Sequence, residues 1–122
     1  MQLRAITAKV VQGQSPPDAI PLTLNPGDSV RLGNWHPGRG GYIWCDDGQI
    51  SAGWVPADLI DTGPNGATAK AVYCSAELEV EPGDTVRLLW EDATHGAWWC
   101  ENPAQERGWV RAEYLQFEDP AA

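Results

Sequence analysis

Apolar and polar residues alternate along Ser29-Val30-Arg31-Leu32 and again along Thr85-Val86-Arg87-Leu88. A period of two is the signature of a half-buried strand. Each run follows a Pro-Gly-Asp turn, at residues 26–28 and 82–84. Proline presets φ there, and glycine accepts the positive φ that follows. Asp47-Gly48 separates Tyr42–Cys45 from Ile50–Val55 and predicts a hairpin. No segment keeps a helical period beyond about two turns. The pattern predicts an all-β chain of short strands with turns every eight to twelve residues or so, closed into a small barrel.

The pattern occurs twice. Pro26-Gly27-Asp28-Ser29-Val30-Arg31-Leu32 recurs as Pro82-Gly83-Asp84-Thr85-Val86-Arg87-Leu88, and Trp44-Cys45 as Trp99-Cys100. Gly53-Trp54-Val55-Pro56-Ala57-Asp58-Leu59-Ile60 recurs as Gly108-Trp109-Val110-Arg111-Ala112-Glu113-Tyr114-Leu115. Ala8-Lys9-Val10-Val11 matches Ala69-Lys70-Ala71-Val72. The order is kept and only loop lengths change, which marks a duplication. Between the copies lies the turn-rich Asp61-Thr62-Gly63-Pro64-Asn65-Gly66. The expected organisation is a first domain over 1–61, a linker over 62–66 and a second domain over 67–118. Domains this small bury a modest core, and large aromatic side chains help each to stand.

Composition narrows the function. The chain has 122 residues, with 8 Lys+Arg against 17 Asp+Glu and a net charge of −9. An acidic surface argues against nucleic acid and against an anionic membrane as partner. No apolar run approaches a membrane span of roughly 20 residues. The opening Met-Gln-Leu-Arg-Ala-Ile-Thr-Ala-Lys has no long apolar core, so no export is expected and the location is read as cytoplasmic. Seven Trp against three Tyr and one Phe require an explanation, because Trp is ordinarily the rarest of the three.

Three cysteines, Cys45, Cys74 and Cys100, form no CxxC pair and read as reduced structural thiols. With His36 and His95 they do not group at zinc-ligand spacings, so no metal and no cofactor is expected. The histidines occupy non-equivalent turns, and no nucleophile, base or phosphate-cradling motif clusters. Gly38-Arg39-Gly40-Gly41 leads into no helix and reads as a hairpin loop. The chain is not read as an enzyme.

Each copy resembles a Src-homology-3 (SH3) domain. In the second copy the resemblance is carried by Ala71-Val72-Tyr73, Glu81-Pro82-Gly83-Asp84, Trp98-Trp99 and Gly108-Trp109-Val110-Arg111-Ala112-Glu113-Tyr114-Leu115. These are similar to the family's ALYDY strand, the turn before its second strand, its Trp doublet and its closing motif. The resemblance implies two consecutive small five-stranded barrels, each with a 3₁₀ turn before the last strand. It also implies an aromatic groove for extended, proline-rich peptides. A polyproline II segment is already stiff and loses little entropy on docking.

On this reading the peptide site of the second copy is Tyr73, Trp98, Trp99 and Tyr114, with Glu77 and Glu79 meeting a basic peptide residue. The first copy offers Tyr42, Trp44 and Pro56, with Leu59 at the family's Tyr and Gln12 at its first aromatic. Arg111 stands where the closing motif has proline. Two strand registers are open at the doublets. Turning Trp98 toward the ligand puts Glu101 and Asp46 inward. A shift by one puts Cys100 and Cys45 inward, and Trp99 and Trp44 outward with Ala97 and Tyr42. The second is favoured, because a buried unpaired carboxylate is costly. The Gln14–Leu22 loop, with Pro16, Pro17 and Pro21, is a stiff connector or a segment that docks on the second copy or a neighbour.

Residues 1–61 carry four basic and six acidic residues, and residues 66–122 carry four and 11. The second copy is therefore the expected place for a basic peptide. The function expected is non-catalytic binding of a protein or peptide with a proline-rich or basic segment, in a chain that can also self-associate. The alternatives are a cell-wall-binding module of the bacterial SH3 type, and a structural subunit whose barrels pack through their aromatic faces.

Overall fold

The structure, a computed structural model, describes residues 6–118. Part of the N-terminal stretch read for an export signal lies outside them. Among the described residues there is no α-helix. The strands are β1 (Ile6–Val10), β2 (Thr23–Leu24), β3 (Ser29–Trp35), β4 (Tyr42–Asp46), β5 (Ala52–Pro56), β6 (Ile60–Gly63), β7 (Gly66–Ala69), β8 (Tyr73–Cys74), β9 (Thr85–Asp92), β10 (Ala97–Glu101), β11 (Arg107–Arg111) and β12 (Leu115–Phe117). Short 3₁₀ turns at Ala57–Leu59 and Ala112–Tyr114 precede β6 and β12.

Two five-stranded antiparallel sheets result, ordered β11-β10-β9-β1-β12 and β5-β4-β3-β7-β6. Each is open: β11 and β12, and likewise β5 and β6, are edges without mutual pairing. The closed barrel expected from strand spacing is thus not formed by backbone pairing. A two-stranded pair, β2-β8, joins the second sheet's unit.

The sheets cut across the sequence repeat. One compact unit is Met1–Pro16 with Glu77–Ala122, and the other is Pro17–Ala76. β1, from the first copy, pairs with β9 and β12 of the second. β7, from the second copy, pairs with β3 and β6 of the first. Division at 62–66 does not describe these units. The segment expected to be a linker is a hairpin: Gly63 faces Gly66, and only Pro64-Asn65 turn between them.

That turn explains the exchange. Two residues can join only strands lying side by side, about 5 Å apart. β7 must therefore sit next to β6. In both sheets the place beside the last strand is the first-strand place, so β7 fills it in the unit holding β6. β1 then fills the corresponding place beside β12. The chain passes between units at Pro16-Pro17 and again at Ala76-Glu77. The proline-rich segment is thus a crossing, and not a loop within one domain.

Each unit has its own core. Ala8, Val10, Leu78, Val80, Val86, Leu88, Cys100 and Val110 cluster in the discontinuous unit. Leu22, Leu24, Val30, Ile43, Cys45, Val55, Ala67 and Ala69 cluster in the continuous one. Val10 and Ala8, at 2% and 0% exposure, show how fully β1 is committed to the sheet of the other copy.

Local hydrogen bonds lock the exchanged segments. Gln14 Nε2 donates to Leu78 O at 3.0 Å and to Trp109 O at 2.7 Å, and its Oε1 accepts from Arg111 N at 3.4 Å. In the other unit Ser75 Oγ accepts from buried Leu22 N at 2.8 Å. Glycine is required opposite both. A Cβ on Gly108 would lie 2.5 Å from Leu78 N, and one on Gly53 would collide with Ser75 Oγ.

Candidate functional site

The favoured register at the doublets is the observed one. Cys45 and Cys100 point inward at 0% exposure. Burial, helped by the Asp46 charge, pushes the Cys45 thiol up to about 11, and burial pushes Cys100 up to about 12. Both are core residues without nucleophilic character at neutral pH. By alternation Trp98 shares the inward side with Cys100, and Trp99 faces outward. Trp98 packs against the core and edge-on to Phe117, at 5.6 Å between centroids. Its Nε1 is buried without a hydrogen-bond partner.

Trp99 lies across from Trp90 and Trp109 on neighbouring strands. It stacks on Trp90 at 5.6 Å and meets Trp109 edge-on at 5.1 Å. Trp44 meets Trp54 in the same way at 5.0 Å, and His36 packs on Trp54 at 4.4 Å. Gly33 makes room for Trp44, since a Cβ there would stand 3.1 Å from its ring. These are cross-strand ladders that stabilise a sheet from its outer face. They account for five of the seven tryptophans. They place Trp99 and Trp44 on the outer faces, as the favoured register expects.

Ion pairs line the same outer faces. Glu101 accepts from Arg87 and Arg107 at 2.7 and 2.8 Å. The Arg107 hydrogen bond and the two charges hold its carboxyl below the usual range, against the opposing effect of desolvation. The Arg31 hydrogen bond, joined by the Gly48 N–H, does the same for Asp46. Among the described residues no group of three or more potential metal ligands gathers.

The second-copy site divides between the units. Trp98, Tyr114, Glu77 and Glu79 lie in the discontinuous unit. Tyr73 lies in the continuous one, paired with Leu24 and packed against the core formed by the first copy. The acidic loop and Tyr73 therefore belong to different units. Glu77 is half-buried and its backbone bridges to Trp109.

Strand pairing also revises which residue answers to Tyr73. Tyr73 pairs with Leu24, while Gln14 bridges to Val80. Leu24 and Val80 each stand two residues before a Pro-Gly-Asp turn. The counterpart is thus Gln14, and not Gln12, because the connection after the first strand is two residues out of step with the repeat. In the discontinuous unit the place of this tyrosine is filled by an amide spent on backbone hydrogen bonds.

The continuous unit collects the rest. Tyr42 and Pro56 face each other across β4 and β5. Leu59 and Tyr73 pack against one core cluster. Tyr42, expected on the outer face, is only 5% exposed. Arg39, in the hairpin loop, covers it: its guanidinium lies 3.8 Å from the ring centroid and Nη2 donates to the phenol oxygen at 2.8 Å. In the discontinuous unit Arg111 similarly lies over Tyr114 at 5.0 Å, donates to its hydroxyl at 3.0 Å, and pairs with Glu113.

Comparison with known families adds one match. Residues 64–118 fit the family described as the variant SH3 domain. This stretch is similar to a variant SH3 domain. The match covers 55 of the 122 residues, and the relation of residues 1–63 to it rests on the internal repeat. The matched stretch is also the one the fold divides, since residues 64–76 complete the other unit. No curated protein and no solved structure matches the chain. Domains of this kind are generally non-catalytic binding modules.

Proposed function

We propose that the chain binds an extended, proline-containing segment of a partner protein in the groove of the continuous unit, 17–76. One observation carries this reading: Tyr42, Pro56, Leu59 and Tyr73 belong to the same unit because β7 and β8 are exchanged. Tyr42 and Pro56 are buried, while Leu59 and Tyr73 are half-buried, so the Tyr73 ring is the flat surface that would receive a proline of a stiff peptide at low entropic cost. The corresponding positions of the other unit are Ala97, Arg111, Tyr114 and Gln14, a poorer set of flat surfaces.

The test is peptide selection from a displayed random library against the full chain. Tyr73→Ala should abolish capture, and Tyr114→Ala should leave it intact. Capture lost with Tyr114→Ala and kept with Tyr73→Ala would transfer the site to the other unit and refute this reading. Failure to select any peptide would refute it as well.

A further inference from the structure

Arg39 stands out among the charged residues. Arg31, Arg87, Arg107 and Arg111 each hold a carboxylate, at Asp46, Glu101, Glu101 and Glu113. Arg39 holds none among the described residues; its one hydrogen bond goes to the Tyr42 hydroxyl. In a chain of net charge −9 an arginine without a carboxylate is a notable absence. The loop that carries it, His36-Pro37-Gly38-Arg39-Gly40-Gly41, has no acidic residue. The guanidinium is fixed by stacking on Tyr42 and by the hydroxyl, so its fork is oriented in advance. The single buried, unpartnered side-chain polar atom among the described residues is Trp98 Nε1. The remaining Arg39 donors therefore open to solvent.

The other unit shows the same device satisfied from within. Arg111 lies over Tyr114, bonds its hydroxyl, and receives the carboxylate of Glu113. We propose that Arg39 is the open version of this arrangement, and that it receives a carboxylate side chain, Asp or Glu, of the bound partner segment. The inference rests on the groove reading above and specifies its partner. It also reverses the sign of the partner charge expected from sequence. The acidic net charge does not forbid this. Its field is screened beyond roughly 8–10 Å at physiological salt, while a guanidinium–carboxylate pair acts in contact.

The same displayed library provides the test. Peptides captured in a Tyr73-dependent way should be enriched in Asp or Glu at one fixed distance from a proline. A selected peptide should lose affinity about tenfold or more when that acid becomes Asn or Gln, as expected for a charge-assisted hydrogen bond. Arg39→Gln should cause a similar loss, and the two changes together should cost little more than either alone. Arg39→Lys should retain part of the preference, since it keeps the charge and loses the fork. Tyr73-dependent capture of peptides without acidic enrichment, or additive losses in the double substitution, would overturn the Arg39 inference and leave the groove standing. No Tyr73-dependent capture at all would remove the groove, and the inference with it. Should Arg39→Gln not fold, as read from dispersion of its amide NMR spectrum, the peptide-side substitution alone decides: an unchanged affinity refutes the pairing.

Discussion

Two substitutions should act crosswise on the units. Gln14 belongs by sequence to the first copy, yet its amide holds Leu78 O and Trp109 O of the second. Gln14→Ala removes two well-formed hydrogen bonds and a longer third. At about 1 kcal/mol each for the two short bonds, the discontinuous unit should lose about 2 kcal/mol. Ser75 belongs by sequence to the second copy, yet it accepts from Leu22 N–H, whose residue is 1% exposed. Ser75→Ala leaves that donor buried and unpaired, at about 1–3 kcal/mol to the continuous unit.

Amide hydrogen exchange reads the units separately. For the most protected amides, 2 kcal/mol corresponds to exchange faster by roughly 30-fold. With Gln14→Ala this acceleration should fall on Val86, Cys100 and Val110, and with Ser75→Ala on Val30, Cys45 and Val55. The opposite assignment, with Gln14→Ala loosening residues 23–56, would show that each copy keeps its own first strand. It would refute the argument from the two-residue turn.

Other consequences are more local. Gly108→Ala places a Cβ against backbone at 2.5 Å and should destabilise the discontinuous unit by about 3 kcal/mol, measured by urea unfolding. Trp98→Phe deletes a buried N–H that has no partner, so stability should change by less than about 1 kcal/mol and peptide capture should persist; lost capture would return Trp98 to the groove. With thiols raised to about 11 and 12, Cys45 and Cys100 are thiolate to about one part in a thousand or less at pH 8. A thiol reagent should therefore modify Cys74 alone until the protein is unfolded. Glu101 has a folded pKa below its unfolded value, so its stabilising effect is complete above about pH 4.3 and fades as pH falls through the depressed folded value. The stability gap between wild type and Glu101→Gln should close over that acid range, and a gap independent of pH would contradict the pairing with Arg87 and Arg107.

The parts of the site legible in sequence are those fixed by alternation. Inward Cys45 and Cys100, with Val55 and Val110 in the cores and Trp54 and Trp109 half-buried, follow from strand period and from the cost of burying Asp46 or Glu101. The parts that were not legible depend on pairing between distant segments. Sequence groups Tyr73 with Trp98 and Tyr114 because they share a copy. It sits instead with Leu24, since the chain is committed to that unit by the turn at Pro64-Asn65, eight residues earlier. The signal was present in Gly63-Pro64-Asn65-Gly66, which reads as a flexible junction by composition and as a hairpin by length. Arg39 gave no signal at all, because what singles it out is the carboxylate it lacks.

The amino-acid sequence by itself determined the recurring segments, the all-β character, the strand positions and the inward face of each strand. Those are properties of neighbouring residues: periodicity, turn chemistry and the desolvation cost of a charge. Tertiary structure decided which first strand completes which sheet, and so which aromatic residues share a unit. Both copies carry a first strand of similar pattern, so local preference cannot choose between them. The choice is made by chain connectivity, because two residues between β6 and β7 reach only the neighbouring place in one sheet.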